Sequence, residues 1–123
     1  MKIEIYPRAE ADIISQFRYY IVENVLSTLA PQDAPATAFR FREAVMECVE
    51  RLKPHPRMGT LFRGSISGLR SSPVKGFEAI WIYYVDVPGS LRVIRILHGK
   101  RNVRRILKQE KKANVLSTLA SEE

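Results

Sequence analysis

Nine cationic side chains crowd residues 92–112: Arg92, Arg95, Lys100, Arg101, Arg104, Arg105, Lys108, Lys111 and Lys112, against one acid, Glu110. That segment carries +8, which leaves −1 for the remainder of a 123-residue chain whose net charge is +7. A local excess of this kind can orient an acidic partner, whether nucleic acid, an acidic protein surface or an acidic peptide, and charge alone does not choose among them. On a helix Arg101 and Arg105, four apart, share one face with Arg104 beside them, so the run reads as a target-binding surface more readily than as a merely solvated one. Arg70 and Arg95 fall on strands, where they either face a partner or serve as salt-bridged arginines; Arg95 is expected on the side of Val93 and Leu97.

Bond cleavage would need more than arginines, which stabilise negative charge but do not move protons at neutral pH. The candidates for proton transfer are Glu78, Tyr83 or Tyr84, and His98, with Arg101 to offset developing charge. Each has a plainer reading: strand tyrosines usually pack, and a single histidine with no evident catalytic partner is more often a hydrogen-bonded residue at a strand end. No catalytic residue is assigned on these grounds. Cys48 is the only cysteine and, with only His55 and His98 to join it, offers neither a disulfide nor a zinc-ligand spacing, so no metal or cofactor is expected. Cys48 and Trp81 read as core residues and Lys75 as a loop charge.

The elements that must position these residues follow from periodicity. Lys2–Tyr6 alternates like a strand and unlike a leader peptide, and no apolar run reaches about 18 residues, so a soluble cytoplasmic protein is expected. Ile13, Phe17, Tyr20, Ile21 and Val25 recur at helical spacing over about 8–29. A second helix restarts at Asp33, a candidate N-cap, with Pro35 early in it and Ala38, Phe41, Val45, Cys48, Val49 and Leu52 along one face. The short connection makes the two helices an antiparallel hairpin. Pro54, Pro56 and Gly59 end the second helix in an irregular loop.

Beyond that loop the period changes to two. Leu69–Ser72, Ala79–Val85 and Leu91–His98 read as strands, the last two joined through Pro88-Gly89 in a type II turn. Ala79–Val85 is apolar or aromatic on both faces, as a central strand covered on both sides would be. Asn102 caps a short helix running to about Lys112, and 113–123 is expected to form a mobile tail after a single domain over 1–112. The expected fold is α+β: an N-terminal strand and helical hairpin packed on a small, mostly antiparallel sheet, with a short C-terminal helix. Its second sheet face is expected to be open and available for docking. The segment Asn-Val-Leu-Ser-Thr-Leu-Ala occurs at 24–30 and again at 114–120, too isolated to be a structural repeat.

This order of elements, with Ala9-Glu10-Ala11-Asp12-Ile13, Ala38…Phe41…Val45…Val49…Leu52, Pro54…Pro56…Gly59, Leu69-Arg70, Gly76-Phe77, Ile82-Tyr83-Tyr84 and Ile94–Arg101, resembles the RelE/ParE toxin superfamily over about Ile3–Leu107. The resemblance implies the toxin of a type II toxin–antitoxin pair. Where the ribosome-dependent messenger RNA endonucleases of the RelE branch carry an arginine before the Leu-Val-Tyr-like strand, this chain has Glu78; where they carry a late tyrosine, it has Leu107. The Leu97-His98-Gly99-Lys100-Arg101 form is closer to the ParE branch of plasmid stabilisation proteins. That branch implies inhibition of DNA gyrase by binding, through Arg70, Arg95, His98, Arg101, Arg104 and Arg105, and neutralisation by a ParD-like antitoxin. The alternative implied by the superfamily is a nuclease acting on messenger RNA at the ribosome, with Glu78, Tyr84, His98 and Arg101 as its catalytic set.

Overall fold

A computed structural model describes residues 2–26, 33–99 and 101–111. Strand β1 (Lys2–Ile5) leads into helices α1 (Pro7–Leu26) and α2 (Asp33–Leu52). Strands β2 (Thr60–Leu61), β3 (Leu69–Val74), β4 (Phe77–Val87) and β5 (Ser90–His98) follow, and helix α3 spans 103–111. Pro7 opens α1, at a helix start where its missing N–H costs nothing. The five strands lie in the order β1-β5-β4-β3-β2, with β1 parallel to β5 and every other pair antiparallel. The expected α+β architecture is present, with β4 in the middle of the sheet.

The alternation along β4 separates two cores. Ile80, Ile82 and Tyr84 point into one with Ala9 and Ile13 of α1, and with Phe41, Val45, Val49 and Leu52 of α2. Tyr83 points into the other, where Leu69, Ile94, Leu97, Val103 and Leu107 are buried, and Trp81 and Val85 border it. The second face of the sheet is therefore not open, contrary to the sequence expectation. The inner stripe of α3 (Val103, Ile106, Leu107) and the chain around Phe62 and Ile66 cover it. Exposing apolar residues on both faces of β4 would forfeit roughly 25 cal/mol for each Å² left in water, which is why a two-sided strand recruits two covers.

The hairpin between β4 and β5 turns through Val87-Pro88-Gly89-Ser90, with Gly89 at φ +79°, the left-handed conformation that the third residue of a type II turn requires. β5 carries a bulge. Tyr83 faces Arg95 while Tyr84 faces Val93, leaving Ile94 as an extra residue. The bulge shifts the alternation: Leu91, Val93 and Ile96 belong to the hairpin core, Ile94 and Leu97 to the α3 core. Arg95 therefore does not share a side with Val93.

Strand β2 escaped the sequence reading because two residues, both exposed, have no periodicity to detect. β3 also runs beyond Ser72 to Val74 through Pro73, and β4 starts at Phe77 in place of Ala79. Pro73 is tolerated there because β2 pairs only with Arg70 and Ser71, so no neighbour needs its missing N–H. The side chains of the expected stripe residues Tyr20, Ile21 and Val25 and of Asp33 and Pro35 lie outside what is described, as do the expected tail at 113–123 and most of both Asn-Val-Leu-Ser-Thr-Leu-Ala copies.

Candidate functional site

The arginines named from sequence separate into two groups. Arg95 is held inside. Its Nε and Nη2 donate to the two carboxylate oxygens of Asp12 at 2.7 and 2.8 Å, and its Nη1 reaches Glu110 Oε1 at 3.4 Å. Only 11 % of its side chain is exposed, and the Asp12 hydrogen bond is the main reason its pKa rises above the ordinary guanidinium value. Asp12 also accepts the Ile96 N–H at 2.9 Å. β1 ends at Ile5 and the chain leaves into α1, so β5 past Val93 has no strand neighbour on that side; the carboxylate takes the ladder's place.

Glu110 lies on the buried side of α3 and also pairs with Arg8 at 3.2 Å. Two cations and two carboxylates thus join α1, β5 and α3 in a neutral cluster in which Asp12, Arg95 and Glu110 are buried and Arg8 reaches in from the surface. Sequence reasoning gave no role to Asp12, Arg8 or Glu110. A usable signal existed: Glu110 is the one acid in the basic segment and stands three residues after Leu107 on the apolar stripe of α3.

Arg70 is also used locally. Its Nη1 donates to the Gly59 carbonyl at 2.8 Å and the Arg57 carbonyl at 3.2 Å, fixing the loop after α2. Tyr84 anchors the same loop: its hydroxyl donates to the Pro56 carbonyl at 2.7 Å and accepts from the Gly59 N–H at 2.9 Å. Arg104 packs its guanidinium 4.9 Å from the centre of the Phe62 ring and donates to the Arg63 carbonyl, holding the segment that covers the second core.

Arg101, just before α3, and Arg105, Lys108 and Lys111, on the outer side of the helix, remain exposed. The helix starts as expected, with the Asn102 side-chain oxygen accepting the Arg105 N–H at 3.3 Å. His98 is half-buried at the end of β5 and makes contacts within the chain.

Of the four residues considered for catalysis, Tyr84 stands apart, while Glu78, His98 and Arg101 fall at the same end of the β4–β5 hairpin, where His98 pairs with Ile80 and the Gly99 N–H donates to the Ala79 carbonyl. Tyr84 is fully buried, both of its hydrogen-bonding roles are occupied, and burial raises its pKa, the wrong direction for a proton acceptor. Glu78 accepts the Gly76 N–H in the turn before β4 and lies six residues along the strand, roughly 20 Å from Tyr84 at 3.3 Å per residue. Among the described residues no group of three or more metal-ligating side chains occurs.

The raised pKa values of Tyr83 and Tyr84 have a consequence for stability. A folded-state pKa above the unfolded value near 10 means that the native state keeps protons which the unfolded chain releases. Stability from these tyrosines is complete below pH 10 and declines as pH rises beyond it. Chemical denaturation between pH 8 and 11 should show that loss, and Tyr84→Phe should flatten it; equal slopes in the two proteins would contradict the assignment.

The family model for the ParE toxin of the parDE type II toxin–antitoxin system matches residues 3–103. The chain belongs to the ParE toxin family. It is the toxin component of a type II pair, with a ParD-like antitoxin as its counterpart. Among solved structures, the chromosomal ParDE toxin–antitoxin system from P. aeruginosa has the same fold, with a TM-score of 0.61 at 17 % identity over 80 % of this chain and 95 % of that one. No curated protein sequence matches significantly. The matched region ends at Val103, the first residue of α3.

Proposed function

We propose that this ParE-family toxin acts by binding DNA gyrase in the cytoplasm, without cleaving RNA, and that Arg101 and Arg105 contact its target. The reading is supported above all by Tyr84: the hydroxyl that a nuclease would need is sealed in the core between Pro56 and Gly59. Messenger RNA cleavage would require a proton acceptor and a proton donor around one phosphate, and Tyr84 is too far from Glu78 to join it in that work. Arg70 and Arg95 act in this reading as scaffold residues, since their guanidinium groups already hold the loop and the α1–β5 junction.

The antitoxin has a separate place to dock. Ile13, Ile14, Phe17, Arg18 and Arg42 line a mostly apolar groove of about 330 Å³ on the helical hairpin. Ile14 in its wall is 49 % exposed, and beside it Phe39, 59 % exposed, meets Phe17 edge-on at 5.7 Å. Such a groove suits an amphipathic antitoxin segment that folds on binding, with acidic residues meeting Arg18 and Arg42.

Replacing Arg101 and Arg105 together by Glu should abolish growth arrest on induction and cost less than about 1 kcal/mol of stability, since exposed charges contribute little to folding. Plasmid supercoiling and transcript integrity, followed after induction of the unmodified toxin, identify the target. Relaxed plasmid with intact transcripts is the expected result. Cleaved transcripts with normal supercoiling would replace this mechanism with the ribosomal one, and a folded, fully toxic double variant would remove Arg101 and Arg105 from it.

A further inference from the structure

We infer that the outer face of α3 is a phosphate-backbone site for duplex DNA, distinct from the apolar surface offered to protein partners. The inference rests on the gyrase reading, because a topoisomerase at work holds duplex DNA where a bound toxin could reach it.

The first observation is what that face contains. Positions 104, 105, 108, 109 and 111 are exposed and hold Arg104, Arg105, Lys108, Gln109 and Lys111, while Arg101 is exposed just before the helix. The one acid of the helix, Glu110, is turned inward and neutralised by Arg8 and Arg95. The face is therefore purely cationic among its charged groups and carries no large apolar side chain.

The second is what it lacks as a protein interface. Protein–protein contacts draw most of their energy from a few apolar or aromatic anchors at a desolvated centre. Among the described residues the large exposed apolar side chains lie elsewhere: Ile14 and Tyr19 on α1, Phe39 and Met46 on α2, and Met58 and Leu61 around β2. A partner attracted to α3 by charge would find no anchor there. Phosphates need none.

Spacing and rigidity complete the case. Leaving aside Arg104, which is held by Phe62 and the Arg63 carbonyl, Arg105, Lys108 and Lys111 stand at i, i+3 and i+6, a row about 9 Å long at 1.5 Å per residue. One DNA strand presents a phosphate every 3.4 Å or so along the axis, about three over that length. The row is presented from a fixed platform, because Val103 and Leu107 bury the inner stripe of the helix and Glu110 ties it to α1 and β5. Contacts of this type position a protein on DNA without reading sequence.

The test uses the full chain and a labelled 25-base-pair duplex of arbitrary sequence, with binding followed by fluorescence anisotropy from 25 to 250 mM NaCl. Log affinity should fall linearly with log salt, with a slope of about −4 for four to five phosphate contacts. Neutralising Arg101→Gln, Arg105→Gln and Lys108→Gln together should make the slope shallower by about 3 and weaken binding at least tenfold at 100 mM salt. A control with the same net charge, Lys2→Gln, Arg51→Gln and Lys75→Gln, should keep the slope of the unmodified toxin, and circular dichroism checks that both variants fold.

Absence of duplex binding at 25 mM salt, equal loss in both variants, or a tenfold preference for folded RNA would each overturn the assignment. Supercoiling inhibition in a toxin that fails to bind DNA would sink this inference and leave the gyrase reading intact. DNA binding with no effect on supercoiling would do the reverse.

Discussion

Asp12→Ala should unfold this toxin more readily than any change to its exposed charges, with a loss of about 3–5 kcal/mol. The carboxylate is the bidentate partner of Arg95 and the acceptor for the Ile96 N–H, so its removal strands a largely buried guanidinium and a β5 donor at once. Glu110 stays in contact with Arg95 at 3.4 Å, a longer bond that it shares with Arg8, and cannot replace two bonds below 3 Å. In a domain of this size each kcal/mol shifts the melting temperature by several degrees, so a fall of roughly 10–20 °C is expected by calorimetry. Asp12→Leu combined with Arg95→Met should recover part of that loss, because it removes the stranded guanidinium, while the Ile96 N–H stays without its acceptor and Glu110 keeps only Arg8. A drop below 1 kcal/mol in the single variant would mean that the pair is solvated in solution.

The second large effect is expected at Gly59. A Cβ there would meet the Tyr84 hydroxyl oxygen at 2.4 Å and the Ser71 carbonyl at 2.9 Å, and neither can retreat. Tyr84 is fully buried and Ser71 is backbone in the sheet, paired with Thr60 and Tyr83. Gly59→Ala should therefore cost about 2–4 kcal/mol through overpacking and broken loop contacts. Tyr84→Phe should cost about 1–3 kcal/mol, since the Gly59 N–H and the Pro56 carbonyl lose their shared partner. The two residues touch, so the double variant should cost clearly less than the sum of the singles. Full additivity in urea denaturation would show that the Gly59 penalty arises somewhere other than against Tyr84.

These two sites explain why most of the sequence-named arginines are scaffold. Arg70 holds the loop whose tip is Gly59, Arg95 closes the edge of β5 that β1 leaves unpaired, and Arg104 clamps the segment around Phe62. Each lies beside carbonyls or carboxylates that the chain brings back from far away, between 11 and 83 residues distant. A guanidinium offers five donors in a fixed fork, which suits it to such junctions as well as to phosphates. Among the described residues no carbonyl or carboxylate holds the side chains of Arg101 and Arg105, the two arginines proposed for the target.

Local pattern alone determined a good deal of this protein. Helical stripes in α1 and α2, the Pro54–Gly59 break, the Pro88-Gly89 turn and the Asn102 cap are short-range effects of side-chain spacing and backbone preference, and the chain carries them without help from its fold. The two-sided apolar run of β4 even announced that both faces of the sheet would be covered, though the cover over the second face was not anticipated. Tertiary structure alone decided where the charges point. The bulge at Ile94 reversed the sides of β5, the early end of β1 called for Asp12, and the inner stripe of α3 carried Glu110 into the core. An arginine's type and spacing are the same whether it faces water or a carboxylate 83 residues away; only the folded chain supplies the carboxylate.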